Sequence, residues 1–403
     1  MKSINRLLNL PKKQKENFFL WGPRQTGKSS LLKKEYSDAF YVDLLKTSTY
    51  LKYLEKPWLL REELQEYVLS HGKKELKYPV VIDEVQRVPL LLDEVHWMIE
   101  NLGLGFALCG SSARKVKRGH ANLLGGRAVR YELFGLSAAE LKDDFDLNTM
   151  LNNGYLPRHY LSGKPFKLLD AYVKDYLKEE IKDEALVRNI PHFSTFLNTA
   201  SLSDTKLINY TNIARECGVS SNTVKEYFQI LVDTLLGRFL PAFTKRPKRR
   251  VIQSPKFYFA DVGIVNYLAK RGTLQPHSEL YGKAFENWVF HELNVYNSYN
   301  DKFWDLSYWR LPSGHEVDFI VNDMEYAIEA KSSSKVHDGH LKGLREIIND
   351  HPKLKKRIVV SLVEANRLTS DKIEIINYQT FIKRLWSHSL LRPSEKLESL
   401  LQR

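Results

Sequence analysis

Cysteine is nearly missing from this chain, with Cys109 and Cys217 the only two among 403 residues. So few exclude a disulfide scaffold or a CxxC zinc site, and both read as small core residues in a reducing compartment. Long apolar runs are missing too. No stretch approaches the ~20 apolar residues that a spanning helix needs. The start Met1-Lys2-Ser3-Ile4-Asn5-Arg6 lacks the apolar core and small-residue cleavage site of a secretory leader. The expectation is a cytoplasmic protein with no membrane partner. Repeats and low-complexity segments are also absent. Acids fall short of bases, 48 against 61, which leaves a formal charge of +13. A basic surface of that size favours polyanions, and DNA is the expected partner, with ribosomal or membrane-surface partners as alternatives. The length exceeds what one core usually organises, so two or three domains are expected.

What is present begins with Gly22-Pro23-Arg24-Gln25-Thr26-Gly27-Lys28-Ser29, which fits the phosphate-binding pattern G-x-x-x-x-G-K-[ST]. Phe18 to Trp21 before it reads as a buried strand, and Ser29-Ser30-Leu31-Leu32 after it opens a helix, which is the context the motif requires. The glycines let the backbone wrap a pyrophosphate, so that N–H groups and the helix dipole point at its oxygens. Lys28 is the expected contact for the β- and γ-phosphates and Ser29 a ligand of Mg²⁺. The expected cofactors are therefore ATP and Mg²⁺. A second strand, Tyr78 to Ile82, ends in Asp83 and Glu84. Asp83 suits the Mg²⁺ shell, and Glu84 suits polarisation of the attacking water.

A third strand, Gly105 to Arg114, ends in small hydroxyl residues, of which Ser111 is the candidate γ-phosphate sensor. Further on, Arg127 and Arg130 flank another short strand, and Arg127 is the better candidate for an arginine finger, in cis or from a neighbouring subunit of a ring or dimer. The alternative is that both arginines decorate a solvated strand edge.

The order GPRQTGKS, VVIDEVQRVP, LCGSSAR and LLGGR resembles the prokaryotic AAA-type ATPases that carry a C-terminal domain of unknown function. SPKFYFADVGIVNYL, YGKAFENWVFHEL and HEVDFIVNDMEYAIEAKSS are similar to that family's C-terminal half, so the resemblance runs through nearly the whole chain. It implies ATP hydrolysis, a winged helix and a nuclease-like end domain. The expected fold is α/β: a P-loop AAA-type core over 1–142, a helical connector over 143–204, a winged helix over 205–265, a nuclease-like α/β domain over 278–365 and a helical tail over 366–403.

Within the winged-helix segment, Tyr210 to Cys217 predicts a helix ended by Gly218, and a second helix begins at Ser221. Val224, Phe228, Leu231 and Leu235 recur at helical spacing as its buried stripe, leaving Asn222, Lys225, Glu226 and Gln229 outward. Strands near Phe239 and Phe257 would form a wing whose tip carries Lys245, Arg246, Lys248, Arg249 and Arg250. Cations so crowded repel one another but suit a row of phosphates. With Lys225 they make the expected DNA-contacting set. A charged turn in a protein–protein adaptor is the alternative.

Near the end, Asp318 on one strand and Glu329-Ala330-Lys331 on the next resemble the PD-(D/E)xK nuclease pattern, and Glu286 on the preceding helix matches that family's helical acid. Asp318 and Glu329 would hold a divalent metal and Lys331 would orient or activate water. Val317 stands where the pattern's loosely kept proline would be. The combined expectation is a Mg²⁺-dependent ATPase that binds DNA, in repair, recombination or defence, with a possible nuclease site. An ATP-regulated protein-interaction switch with an inactive end domain, and a DNA-binding transcriptional regulator, are the rivals.

Overall fold

A computed structural model describes residues 4–111, 124–177, 189–245 and 250–391. They divide into two units, one formed by 1–135 with 229–236 and the other by 136–228 with the chain from 237 onward. Arg246, Lys248 and Arg249 lie outside the described residues.

The first unit holds a five-stranded sheet. Its strands are β1 (Phe18–Trp21), β2 (Tyr41–Asp43), β3 (Val80–Asp83), β4 (Phe106–Gly110) and β5 (Val129–Glu132), in the spatial order β2-β3-β4-β1-β5. Every pairing is parallel. Parallel strands are covered on both faces, and the central β1, β3 and β4 accordingly read as continuous apolar runs. Alternate residues part to the two sides. Phe19, Trp21, Val80, Ile82, Phe106 and Leu108 join the core made with α2 (Thr47–Glu55), α3 (Leu59–His71) and α4 (Leu91–Leu102). Phe18, from the other side, meets Tyr36 just past α1 (Lys28–Glu35) at a ring separation of 6.1 Å.

In the second unit, the helix Tyr210–Cys217 starts on the Asn209 side chain, which accepts from the Asn212 amide at 3.0 Å, and stops at Gly218 in the left-handed region. The following helix is Ser221–Asp233. Val224, Phe228 and Leu231 are fully buried along it, and Asn222, Lys225, Glu226 and Gln229 are exposed. Leu235 departs from the expected stripe because the helix ends two residues earlier and Leu235 takes a left-handed φ of 60°. Phe228 packs on Phe239 and Phe257, which belong to the antiparallel hairpin of β6 (Gly237–Leu240) and β7 (Lys256–Phe259).

The last part of this unit is a six-stranded mixed sheet in the order β12-β13-β11-β10-β9-β8, from β8 (Leu306–Arg310), β9 (Glu316–Val321), β10 (Tyr326–Lys331), β11 (Lys356–Ser361), β12 (Arg367–Leu368) and β13 (Ile373–Asn377). The helix Lys342–Asp350 places Leu344 and Ile347 in the same apolar cluster as Val317, Ile320 and Val359. The expected helical tail over 366–403 is corrected here. β13 pairs in parallel with β11, and its isoleucines are buried sheet residues, so within that range the described helix is only Tyr378–Trp386.

The loop after β6 lies against the edge strand β8: Ala242 bridges to Tyr308, the Phe243 amide donates to the Tyr308 carbonyl at 2.7 Å, and the Ile252 amide donates to Arg310 at 3.0 Å. An open sheet edge presents unpaired N–H and C=O groups, and this loop satisfies some of them. Among the described residues, no helix is long and apolar enough to cross a membrane.

Candidate functional site: a phosphate loop and an acid–lysine cluster

The phosphate loop leaves the carboxyl end of β1. Gly27 takes φ 94°, the left-handed conformation that glycine adopts without steric cost, and delivers the chain into α1. Gly22 is required for a different reason. A Cβ there would lie 2.4 Å from the Leu133 carbonyl oxygen, so a side chain would push the loop off the strand beside it. Arg6 clips the same two segments, donating to the Thr26 carbonyl at 2.6 Å and the Phe134 carbonyl at 2.7 Å. Inside the loop, Thr26 Oγ1 donates to the Pro23 carbonyl at 2.8 Å. Lys28 is buried, and its Nζ donates to the carbonyls of Gly22 at 2.7 Å and Pro23 at 3.0 Å. Ser29 follows it half-buried, whereas Arg24, Gln25 and Ser30 are exposed.

Two strands over from β1, β3 ends in the acids. Asp83 is buried; its Oδ2 accepts from the Tyr41 hydroxyl at 2.7 Å, and its Oδ1 has no hydrogen-bond partner among the described residues. Burial, then the Asp83 charge, drive the Tyr41 hydroxyl well above its usual range and raise the neighbouring Cys109 thiol. Glu84 occupies the left-handed region at φ 60° and ψ 42°, a strained setting for a residue with a side chain. Gln86 Nε2 bonds both the Glu84 carboxylate and Ser111 Oγ, the latter at 3.1 Å, so the base and sensor candidates share one amide. Arg6, Tyr41 and Gln86 went unread in the sequence, because each acts through a contact distant in sequence or through a rotamer.

Arg127 lies elsewhere. β5 pairs with β1 so that Glu132 is level with Trp21 at the phosphate end, and Arg127 precedes that level by five residues, toward the opposite end of the strands. There it pairs with Glu100 of α4. A finger acting in cis does not fit this register. Arg130, on β5 itself, is exposed.

The second cluster lies in the second unit. Asp318 and Glu329 are cross-strand neighbours: the Ala330 amide donates to Asp318 Oδ2 at 3.0 Å, and the Asp318 amide donates to Glu329 Oε2 at 3.3 Å. Lys331 Nζ stands 2.5 Å from Glu329 Oε1 and 3.7 Å from Asp318 Oδ2. Glu286 joins them through Lys256, a residue the sequence reading did not select. Lys256 Nζ lies 3.1 Å from Glu286 Oε1, 2.5 Å from Glu316 Oε1 and 3.6 Å from Asp318 Oδ1. Tyr258, two residues along β7 and so on the same face, donates to Glu286 at 2.7 Å, and Arg310 holds Glu316 at 2.8 Å. Burial disfavours both lysine charges, yet Glu286, Asp318 and Glu316 around Lys256, and Glu329 and Asp318 around Lys331, hold both above the usual lysine range. Burial and the Asp318 charge push Glu329 up to about 8. Asp318 is itself buried, but Lys331 and Lys256 outweigh that and keep it below the usual range.

The two sites meet a metal differently. At the phosphate loop a buried carboxylate oxygen is orphaned and a glycine cradle is open to phosphate oxygens, so Ser29 and Asp83 fit Mg²⁺ carried with a nucleotide. At the second cluster, an ammonium already stands among the carboxylates a metal would need. Among the described residues, no group of three or more His, Cys, Asp or Glu side chains is arranged to hold a metal ion. The expected DNA contacts are dispersed. Lys225, Lys245 and Arg250 are all exposed, and Lys245 lies 3.3 Å from Asp323 and 3.7 Å from Asp305.

Residues 14–142 match the family model described as an AAA domain. The phosphate loop and both acids at the end of β3 lie within that match. That family in general implies nucleotide binding, typically with Mg²⁺, and ATPase activity. Residues 144–275 and 281–381 match two domains of unknown function, DUF8612 and DUF4143. An uncharacterized protein of Mycobacterium bovis and another of Mycobacterium tuberculosis are each 24% identical to this chain over 266 residues, covering 63% of it. The match takes in 59% of the length of each relative. A solved structure of the Aeropyrum pernix Orc1 protein in complex with DNA matches over 63% of this chain and 86% of its own, at 13% identity and a TM-score of 0.23.

Proposed function

We propose that the first unit hydrolyses ATP with Mg²⁺ and that the second unit contacts DNA through phosphates. The observation that carries the ATPase reading is the convergence of Lys28, Asp83 and Glu84 at one end of a parallel sheet, with no ion pair to any of them among the described residues. Lys28 leaves its loop carbonyls for the β- and γ-phosphate oxygens, while the amides of Arg24 to Ser30 line the pyrophosphate. Ser29 and Asp83 hold the ion, which when bound neutralises charge on the transferring phosphoryl group. Glu84 takes a proton from the attacking water, and Ser111, sharing Gln86 with it, reports the γ-phosphate. Arg127, from its end of the strands, serves only a neighbouring subunit's site.

Exposed Lys225 and Arg250, the remaining basic residues of the loop after β6, and the excess positive charge support the DNA reading. Work on branched or broken DNA in repair, recombination or defence is compatible with it. One observation favours the protein-interaction switch instead: that loop docks on β8 and Lys245 is already paired with acids. The deciding experiment is steady-state ATP turnover with single-stranded, double-stranded and branched DNA. The DNA reading expects stimulation by at least one of them; turnover indifferent to all three leaves the switch.

A further inference from the structure

The nuclease pattern and its surroundings disagree. Glu286, Asp318, Glu329 and Lys331 are brought together as that pattern would require, yet the point between Glu286, Glu316 and Asp318 is taken by the ammonium of Lys256, within 3.6 Å of an oxygen of each. We propose that Lys256 is the resident cation of this cluster, standing where a divalent metal would stand, so that the C-terminal domain is a metal-free module rather than a metal-dependent nuclease.

Three observations support this. First, Lys256 is not a surface lysine leaning inward: it is 3% exposed and heads the fully buried strand β7, held by β6 on one side and by the Leu207 bridge on the other. Second, the acids are already offset by cations of the protein itself. Four carboxylates, Glu286, Glu316, Asp318 and Glu329, face three cations, Lys256, Lys331 and Arg310. Glu329, the fourth acid, is itself held by Lys331 at 2.5 Å. Buried charge needs such compensation, and a dication added to this set would have to expel a buried ammonium. Third, the carboxylate oxygens are already engaged. Asp318 Oδ2 accepts the Ala330 amide, Glu286 Oε1 accepts the Tyr258 hydroxyl and Glu316 Oε2 accepts Arg310. Magnesium demands near-octahedral oxygen ligation at about 2.1 Å and would compete for these same atoms.

The test uses the full chain without nucleotide and Tb³⁺ as the probe, a hard cation whose emission would be sensitised by Tyr258 on Glu286. Wild type should give no more emission than Asp318→Asn, and Lys256→Arg, which keeps the charge, should behave like wild type. Lys256→Ala should raise emission several-fold, and adding Asp318→Asn to it should abolish the gain. A Lys256→Ala protein that folds and gains nothing would overturn the proposal. So would wild-type emission, or Mn²⁺-dependent nicking of DNA by wild type, that disappears in Asp318→Asn. If Lys256→Ala does not fold, the wild-type comparison with Asp318→Asn decides alone.

Discussion

Lys28, Asp83 and Glu84 at the phosphate loop, and Lys256, Asp318 and Glu329 in the second unit, are the same residue types in two different electrostatic conditions. At the loop, Lys28 rests on neutral carbonyls and Asp83 keeps an orphaned oxygen, so the charges find no partners within the described protein. In the second cluster, each acid has a cation within 4 Å and each cation has an acid. The contrast shows that an inventory of acids and lysines does not define a ligand site. What defines it is whether the protein's own groups already satisfy one another.

The largest expected effect lies at the open site. Glu84→Gln keeps the shape but removes the base, so turnover should fall by about 10²–10⁴-fold with nucleotide still bound. Lys28→Ala should in addition weaken nucleotide binding by roughly 10–100-fold, the equivalent of ~1.5–3 kcal/mol for a lost charge-assisted bond. Turnover and nucleotide titration of both variants check this, and near-normal rates in either would erase the contrast from the loop side.

The closed site should answer in stability rather than turnover. Removing one member of a buried ion-pair set leaves its partners uncompensated, which costs about 3–5 kcal/mol. Lys256→Ala should therefore lower the unfolding free energy of the second unit by that order while wild-type-like ATP turnover persists below its melting range. Denaturant unfolding without metal measures it.

These two predictions also mark what was legible in the sequence. The phosphate loop could be read because its chemistry is local: Gly22, Gly27, Lys28 and Ser29 are contiguous, and the apolar run before Asp83 announces a strand end. Asp318 and Glu329 were legible through strand alternation. Lys256 was not, because its partners come from a helix and a strand 30 to 62 residues away and nothing in Pro255-Lys256-Phe257 indicates which way the lysine points. A lysine heading an aromatic strand was the available signal. In the tail, the alternation of Ile373-Glu374-Ile375 is the strand signal, and the helix Tyr378–Trp386 that follows carries the helical period. The contact of the loop after β6 with β8 has no local signal, because its partners Tyr308 and Arg310 lie more than fifty residues on.

A smaller effect separates the second unit by pH. Burial pushes Asp204 up to about 7 and Glu292 up to about 8, despite amide bonds from Phe259 and Ala138. The folded unit thus keeps protons that the unfolded chain releases near 3.8 and 4.5. Stability from these acids is full below about pH 4 and declines as pH rises to about 8. Asp204→Asn and Glu292→Gln should each flatten that decline in urea unfolding, and an unchanged slope in both would contradict the burial argument. The smallest effect is on DNA. Each phosphate contact removed should flatten the dependence of log affinity on log salt by about 0.9 for duplex DNA. Arg250→Ala and Lys225→Ala should show this and Lys245→Ala should not, since Asp305 and Asp323 already occupy it.

Counting bound Mn²⁺ by electron paramagnetic resonance tests the contrast most directly. The full chain should bind one tight Mn²⁺ in the presence of a non-hydrolysable ATP analogue, lost in Asp83→Asn, and none without nucleotide. A tight nucleotide-independent Mn²⁺ that vanishes in Asp318→Asn would contradict the account, because the second cluster would then be open to metal.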